Sequence, residues 1–146
     1  SLVLCAYSKK TITGNQILKT KYLLKESLKI AKSANIPKSK IVLDPAIGFF
    51  RKEGMGSLFT KINSDYVQRD LLILKNLSSI KLDNPILVSV SNKSFIGKIL
   101  KKKNPIDRIY GSIAAELVAI RNGADIIRTH NVEKTKNAMT IAQKLV

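Results

Sequence analysis

Four short apolar runs alternate with four stretches of helical periodicity, and this rhythm is the main signal in the chain. Leu2-Val3-Leu4-Cys5-Ala6-Tyr7 shows no polar alternation, which predicts a strand buried on both faces. From Thr20 to Ser33, Leu24, Leu28 and Ala31 share one helical face with lysines elsewhere, and Pro37 closes the unit. Ile41-Val42-Leu43 predicts a second strand, ended by Asp44-Pro45. The stretch from Gly48 to Gly56 is too rich in turn formers to be an element and long enough to carry function. Ser64-Asp65 then offers a cap for a helix whose buried stripe is Val67, Leu71, Leu74 and Leu77 or Leu72.

The third unit opens at Pro85 with the strand Ile86-Leu87-Val88-Ser89-Val90. Its helix is expected from Asn104-Pro105, carries Ile109, Ile113, Leu117 and Ile120, and stops at Asn122-Gly123. Asp125-Ile126-Ile127 is the fourth strand, followed by a helix capped by Asn131 and bearing Met139, Ala142 and Leu145. Strands separated by helices pair in parallel through right-handed crossovers, which gives the α/β class and a single domain over residues 1–146. Four β/α units of about 40 residues make half of a TIM-type (β/α)8 barrel, or a small open sheet complete in itself. Periodicity does not separate the two.

Composition removes several classes of function. One cysteine, Cys5, forms no internal disulfide, and one histidine, His130, leaves no metal-ligand set, so a reducing cytoplasmic setting is expected. No apolar stretch approaches the roughly 18 residues of a membrane span, and the N-terminus lacks signal-peptide features, so no membrane partner is expected. The 26 Lys+Arg against 10 Asp+Glu give +16, but 21 of the basic residues are Lys. With aromatics at 5% and no Trp, that charge does not predict nucleic-acid binding. It fits solubility and attraction of a phosphate-bearing small molecule. Lys101-Lys102-Lys103 reads as a solvated helix end. Gly111, Ser112, Ala114 and Ala115 form a small-residue patch that suits close helix approach and a homodimer through the helices.

In parallel α/β folds, ligands bind past the C-terminal ends of the strands. Asp44 follows the second strand, Ser91-Asn92-Lys93-Ser94 the third, and Arg128-Thr129-His130-Asn131 the fourth. Each group alone is ordinary turn chemistry. Jointly they bring a carboxylate, an amine, a guanidinium and an imidazole to one mouth. A carboxylate accepts paired N–H donors from a heterocycle, and Arg and Lys meet phosphate or a ring carbonyl.

The segments 41–49 (IVLDPAIGF), 85–97 (PILVSVSNKSFIG), 108–115 (RIYGSIAA) and 123–132 (GADIIRTHNV) together resemble dihydropteroate synthase, in that family's order and over essentially the whole chain. The resemblance implies the C-terminal half, about strands five to eight, of a TIM-type barrel, with the chain a fragment of a longer one. It implies a transferase of folate biosynthesis that joins a dihydropterin pyrophosphate to 4-aminobenzoate and releases pyrophosphate. On matching positions, Asp44 would hold the 2-amino-pyrimidine edge, and Lys93 and Arg128 would act at the pterin as the catalytic pair. Arg128 with His130 would bind pyrophosphate; Gly48, Ser91 and Ser94 would line the site, and Phe49 would flank the aminobenzoate ring. Mg2+ is implied too, with its ligands in the N-terminal half. The family's pattern has Gly at Ala46, Gly-Lys at Phe50-Arg51, Arg at Asn92 and Asp at Asn131. Two other readings are a pterin-binding methyltransferase serving a corrinoid and a non-catalytic, dimerising half-barrel.

Overall fold

In chain order the elements are β1 (Leu2–Cys5), α1 (Gln16–Ser33), β2 (Ile41–Asp44), β3 (Phe50–Arg51), β4 (Thr60–Lys61), α2 (Tyr66–Lys75), α3 (Leu77–Ile80), β5 (Leu87–Val88), α4 (Ser94–Leu100), α5 (Ile109–Arg121), β6 (Ile126–Ile127) and α6 (Val132–Lys144). This is a computed structural model, and it describes residues 1–53 and 56–145. Positions 54 and 55 of the glycine-containing stretch lie outside the described residues. β1 pairs with β2 in parallel, Leu2 opposite Ile41 and Cys5 opposite Asp44. A bridge between Leu43 and Ile86 joins this pair to β5, and β5 pairs in parallel with β6. The four expected strands therefore run side by side as β1-β2-β5-β6. β3 and β4 form a small parallel pair inside the loop after β2, tied to Ile12 through Ile62.

Two apolar clusters flank this sheet. Leu24, Ile41, Leu43, Phe50 and Ile62 centre one, and Ile73, Leu77, Ile86, Val88 and Phe95 centre the other. Of the expected stripe Val67, Leu74 and Leu77 are buried and Leu71 is half-buried, with Leu72 exposed at 38%; Leu77 falls in α3, because the helix breaks at Asn76. Asp65 caps α2 by accepting the Gln68 amide.

Several expectations need correction. β1 is not buried on both faces: Leu2 and Val3 are 39% and 45% exposed, because among the described residues only β2 pairs with it. α1 begins at Gln16, four residues early, because the Asn15 side chain accepts the Ile17 and Leu18 amides. The third unit carries an additional helix, α4, hidden by its glycine and the lysine run after it. The Asn104 cap is real but opens a 3-10 turn, Pro105–Arg108, ahead of α5. That turn is held by one guanidinium: Arg108 donates to the carbonyls of Asn92, Lys102 and Lys103.

On α5 the inward residues are Ser112, Glu116 and Ala119, while Ile109, Ile113, Leu117 and Ile120 are half-buried. The polar pair turns inward because it finds partners there. Ser112 Oγ accepts the Asn92 amide, and Glu116 Oε2 accepts the Thr135 hydroxyl at 2.7 Å. Asn131 stands at the start of α6 without a side-chain cap, and Leu145 is 80% exposed. The small-residue patch does not form one outer face. Gly111 lies against Ile96 and Leu100, Ser112 is buried, Ala115 packs on the core, and only Ala114 is exposed.

Candidate functional site

The turn after β2 places most of the site. Asp44 Oδ1 accepts the Ala46 amide at 2.7 Å, which reverses the chain directly after the strand. Ala46 has φ 56° and Gly48 φ 85°, both left-handed. Gly48 suits that conformation; a side chain there would put its Cβ 2.7 Å from Lys93 Cδ. Ala46 has no such licence, since a Cβ in the left-handed region costs roughly 1–2 kcal/mol. Glycine gives back about 0.4–1 kcal/mol through the freedom of the unfolded chain. Ala46 is 3% exposed, so glycine also gives up a buried methyl worth about 0.8 kcal/mol, and Ala46→Gly is expected to leave stability within about 1 kcal/mol of the parent, read as the urea midpoint at unchanged slope. A loss well above that would refute the strain.

Across from this turn, Lys93 stands just before α4, half-buried, with Nζ 4.1 Å from the centroid of the Phe49 ring. Burial pushes the Lys93 ammonium below the usual lysine range, and Asp44 and Asp70 pull it partly back. Burial likewise pushes the Asp44 carboxyl up, opposed by the Ala46 amide, Lys93 and Arg69. Each charge supports the other, but loss of water dominates both. A folded-state depression means that Lys93 adds stability as pH rises from its folded value toward its unfolded one. In a side-chain NMR titration, Lys93 is expected to lose its proton at lower pH than the exposed lysines; co-titration with them would contradict its placement.

Arg128 follows β6 and is near enough to Lys93 to lower its pKa. Arg128 and His130 are both exposed and two residues apart, and the His130 amide donates to Ser91 Oγ at 3.2 Å. Ser91 is 2% exposed, so its hydroxyl works inside the chain as a tie between strand ends. Ser94 is exposed, and its hydroxyl accepts from Arg51 Nη2 at 2.7 Å. Gly48, Phe49, Arg51, Phe59, Lys93 and Ser94 line a cleft of 680 Å³. Asp44, Gly48, Phe49, Lys93 and Ser94 thus gather, Arg128 approaches through Lys93, and His130 joins through its backbone.

The sequence reading missed Arg69 and Asp70 and gave Arg51 no role beyond its place in the family's Gly-Lys pattern. Arg51 lies 4.4 Å over the Tyr66 ring as well as on Ser94. Arg69 and Asp70 form a fully buried pair at 3.1 Å beneath the turn. The signal was present: Asp70 falls on the apolar stripe between Val67 and Leu74, where a carboxylate is out of place. Among the described residues, no three His, Cys, Asp or Glu side chains gather as a metal-ligand set.

The family described as "Pterin binding enzyme" matches residues 5–130. Dihydropteroate synthase of Synechocystis sp. is 32% identical over 133 residues, covering 90% of this chain and 41% of that protein. The structure of Xanthomonas albilineans dihydropteroate synthase with 4-aminobenzoic acid superposes with a TM-score of 0.81 at 28% identity, over 98% of this chain and 48% of that one. The Thermus thermophilus enzyme in complex with 6HMPPP gives 0.72 at 29% identity, over 90% and 46%. The chain therefore spans less than half the length of these relatives.

Proposed function

The chain belongs to the pterin-binding enzyme family, and from that membership we propose that it is the C-terminal half-barrel, strands five to eight, of a dihydropteroate synthase. The observation that carries this reading is the meeting of Asp44, Lys93 and Arg128 past three strand ends of one parallel sheet. Asp44 accepts two N–H donors of the 2-amino-pyrimidine edge. Lys93 lies over the pterin ring, and Arg128 with His130 takes the pyrophosphate oxygens. Arg offers a planar fork to phosphate, and His adds a donor whose charge responds to the anion. As the bond from methylene carbon to pyrophosphate oxygen breaks, these cations stabilise the departing charge. The amine of 4-aminobenzoate then bonds to that carbon and loses a proton. Phe49 flanks the aryl ring, and Arg51 with Ser94 supplies donors toward its carboxylate, a cation on the side where Asn92 stands in place of the family's Arg.

Magnesium, which the family implies, would take its protein ligands from the other half of the barrel. We place the reaction in the cytoplasm. Dimerisation is proposed through the outer face of α5 and α6, where Tyr110 is 87%, Val118 45% and Ile141 62% exposed. A monomer in sedimentation at high micromolar concentration would count against that surface.

Isothermal titration with dihydropterin pyrophosphate tests the main reading. Binding that weakens when the pyrophosphate is removed supports the synthase. Equal binding of a reduced folate lacking pyrophosphate favours a methyltransferase, and no pterin binding by a barrel completed with an N-terminal half sinks both.

A further inference from the structure

Beneath the turn that carries Asp44 and Gly48 lies a buried ion pair, Arg69 and Asp70, to which no substrate contact has been assigned. Asp70 is wholly buried, and both of its oxygens accept the Gly48 amide at 3.1 Å. Arg69, 2% exposed, donates to Asp70 Oδ1 at 3.1 Å, to Pro45 O at 2.9 Å, to Ala46 O at 3.4 Å and to Thr20 Oγ1 at 3.1 Å. Its guanidinium also lies 3.7 Å over the Phe50 ring. Arg51 Nη1 approaches the other carboxylate oxygen of Asp70 at 4.0 Å. Three carbonyl or amide groups of the turn are therefore held from below by side chains of one helix, α2. A pair buried this deeply gains little stability over an apolar replacement. Its cost makes sense if it sets the shape of what lies above.

We infer that Asp70, locked by Arg69, is the positioning residue of the pterin turn: by holding the Gly48 amide it seats the Lys93 side chain between Gly48 and Phe49. The contact is tight enough to transmit the position. Lys93 Cδ, Cε and Nζ sit 2.7–3.3 Å from where a Gly48 Cβ would stand, so a shift of the turn shifts the lysine. Asp70 also supports the charge on Lys93. The functional half of this inference rests on the pterin reading above.

The test uses the full chain labelled with 15N and 13C, with Asp70→Asn and Asp70→Leu. The asparagine keeps one acceptor for Gly48 and for Arg69 and removes the charge. Asp70→Asn is expected to shift the Gly48 amide resonance and to lower the Lys93 titration further. In the barrel completed with an N-terminal half, it should weaken dihydropterin pyrophosphate binding ~10-fold, with Asp70→Leu weaker still. A purely structural residue would lower the thermal midpoint while leaving the folded fraction's Gly48 resonance, Lys93 titration and affinity as in the parent. That result overturns the inference. Should Asp70→Leu not fold, Asp70→Asn decides alone. Should the parent itself fail to bind the pterin, the functional reading fails, while the Gly48 and Lys93 readouts still decide whether Asp70 positions the turn.

Discussion

Asp44→Asn will abolish most pterin affinity and leave the fold at least as stable as before. The carboxylate presents two acceptors to two ring N–H donors, whereas an amide presents one acceptor and one opposed donor. That mismatch costs about 1–3 kcal/mol, or roughly 5–150-fold in Kd. Stability moves the other way. Burial raises the Asp44 carboxyl above its unfolded value, so the folded state takes up a proton more readily than the unfolded one. Stability then falls as pH rises through that interval, and ionised Asp44 is a cost at neutral pH. Asparagine does not ionise and removes the cost, which fades again in acid as the parent's carboxyl gains its proton. Urea unfolding at neutral and acid pH, beside pterin titration of a completed barrel, measures both. Unchanged affinity, or a variant much less stable at neutral pH, refutes the assignment.

Arg69→Met will be the most destabilising single change around the site. Methionine matches the stem of the arginine but leaves the Asp70 carboxylate buried without its strongest partner, and frees the carbonyls of Pro45 and Ala46. Removing one member of such a pair costs about 3–5 kcal/mol, far more than the pair's net worth. Without the guanidinium, Asp70's carboxyl rises further, so the loss is largest at neutral pH and shrinks as acid supplies the proton. Denaturant melts in mildly acidic and neutral buffer check magnitude and sign. A loss below about 1 kcal/mol would mean that the turn holds itself.

Much of this was legible from the chain, and the reasons for the rest are local. Asp44, Lys93 and Arg128 were visible because parallel strands deliver their C-terminal ends to one side, and the short apolar runs 41–43, 86–90 and 126–127 mark those ends. α4 was hidden because Gly97 interrupts its period and Lys101 to Lys103 read as surface. The inward face of α5 was misassigned for the opposite reason. Ile113 and Leu117 outrank Ser112 and Glu116 on any hydrophobic scale, yet the polar residues turn inward because Asn92 and Thr135 meet them there. No local pattern announces a partner on another element. The same holds for Asp70, whose position on the stripe was anomalous, and for its neighbour Arg69: the groups they bind in the turn and on α1 lie more than twenty residues away.

The guanidinium of Arg108, which closes the carbonyls of three separate residues, divides the basic residues of this chain into two populations. Arg51 and Arg69 share its habit of donating from more than one nitrogen to more than one acceptor. A lysine has one nitrogen on a flexible stem and cannot span such a set. In a library that exchanged lysine and arginine freely at all 26 basic positions, selection for the folded chain would hold arginine at 51, 69 and 108. Most of the 21 lysines would drift, since exposed ammonium groups are interchangeable where only solvation is asked of them. The lysine-rich composition is thus permissive at exposed positions and not where a fork is demanded or where Lys93 is seated between Gly48 and Phe49.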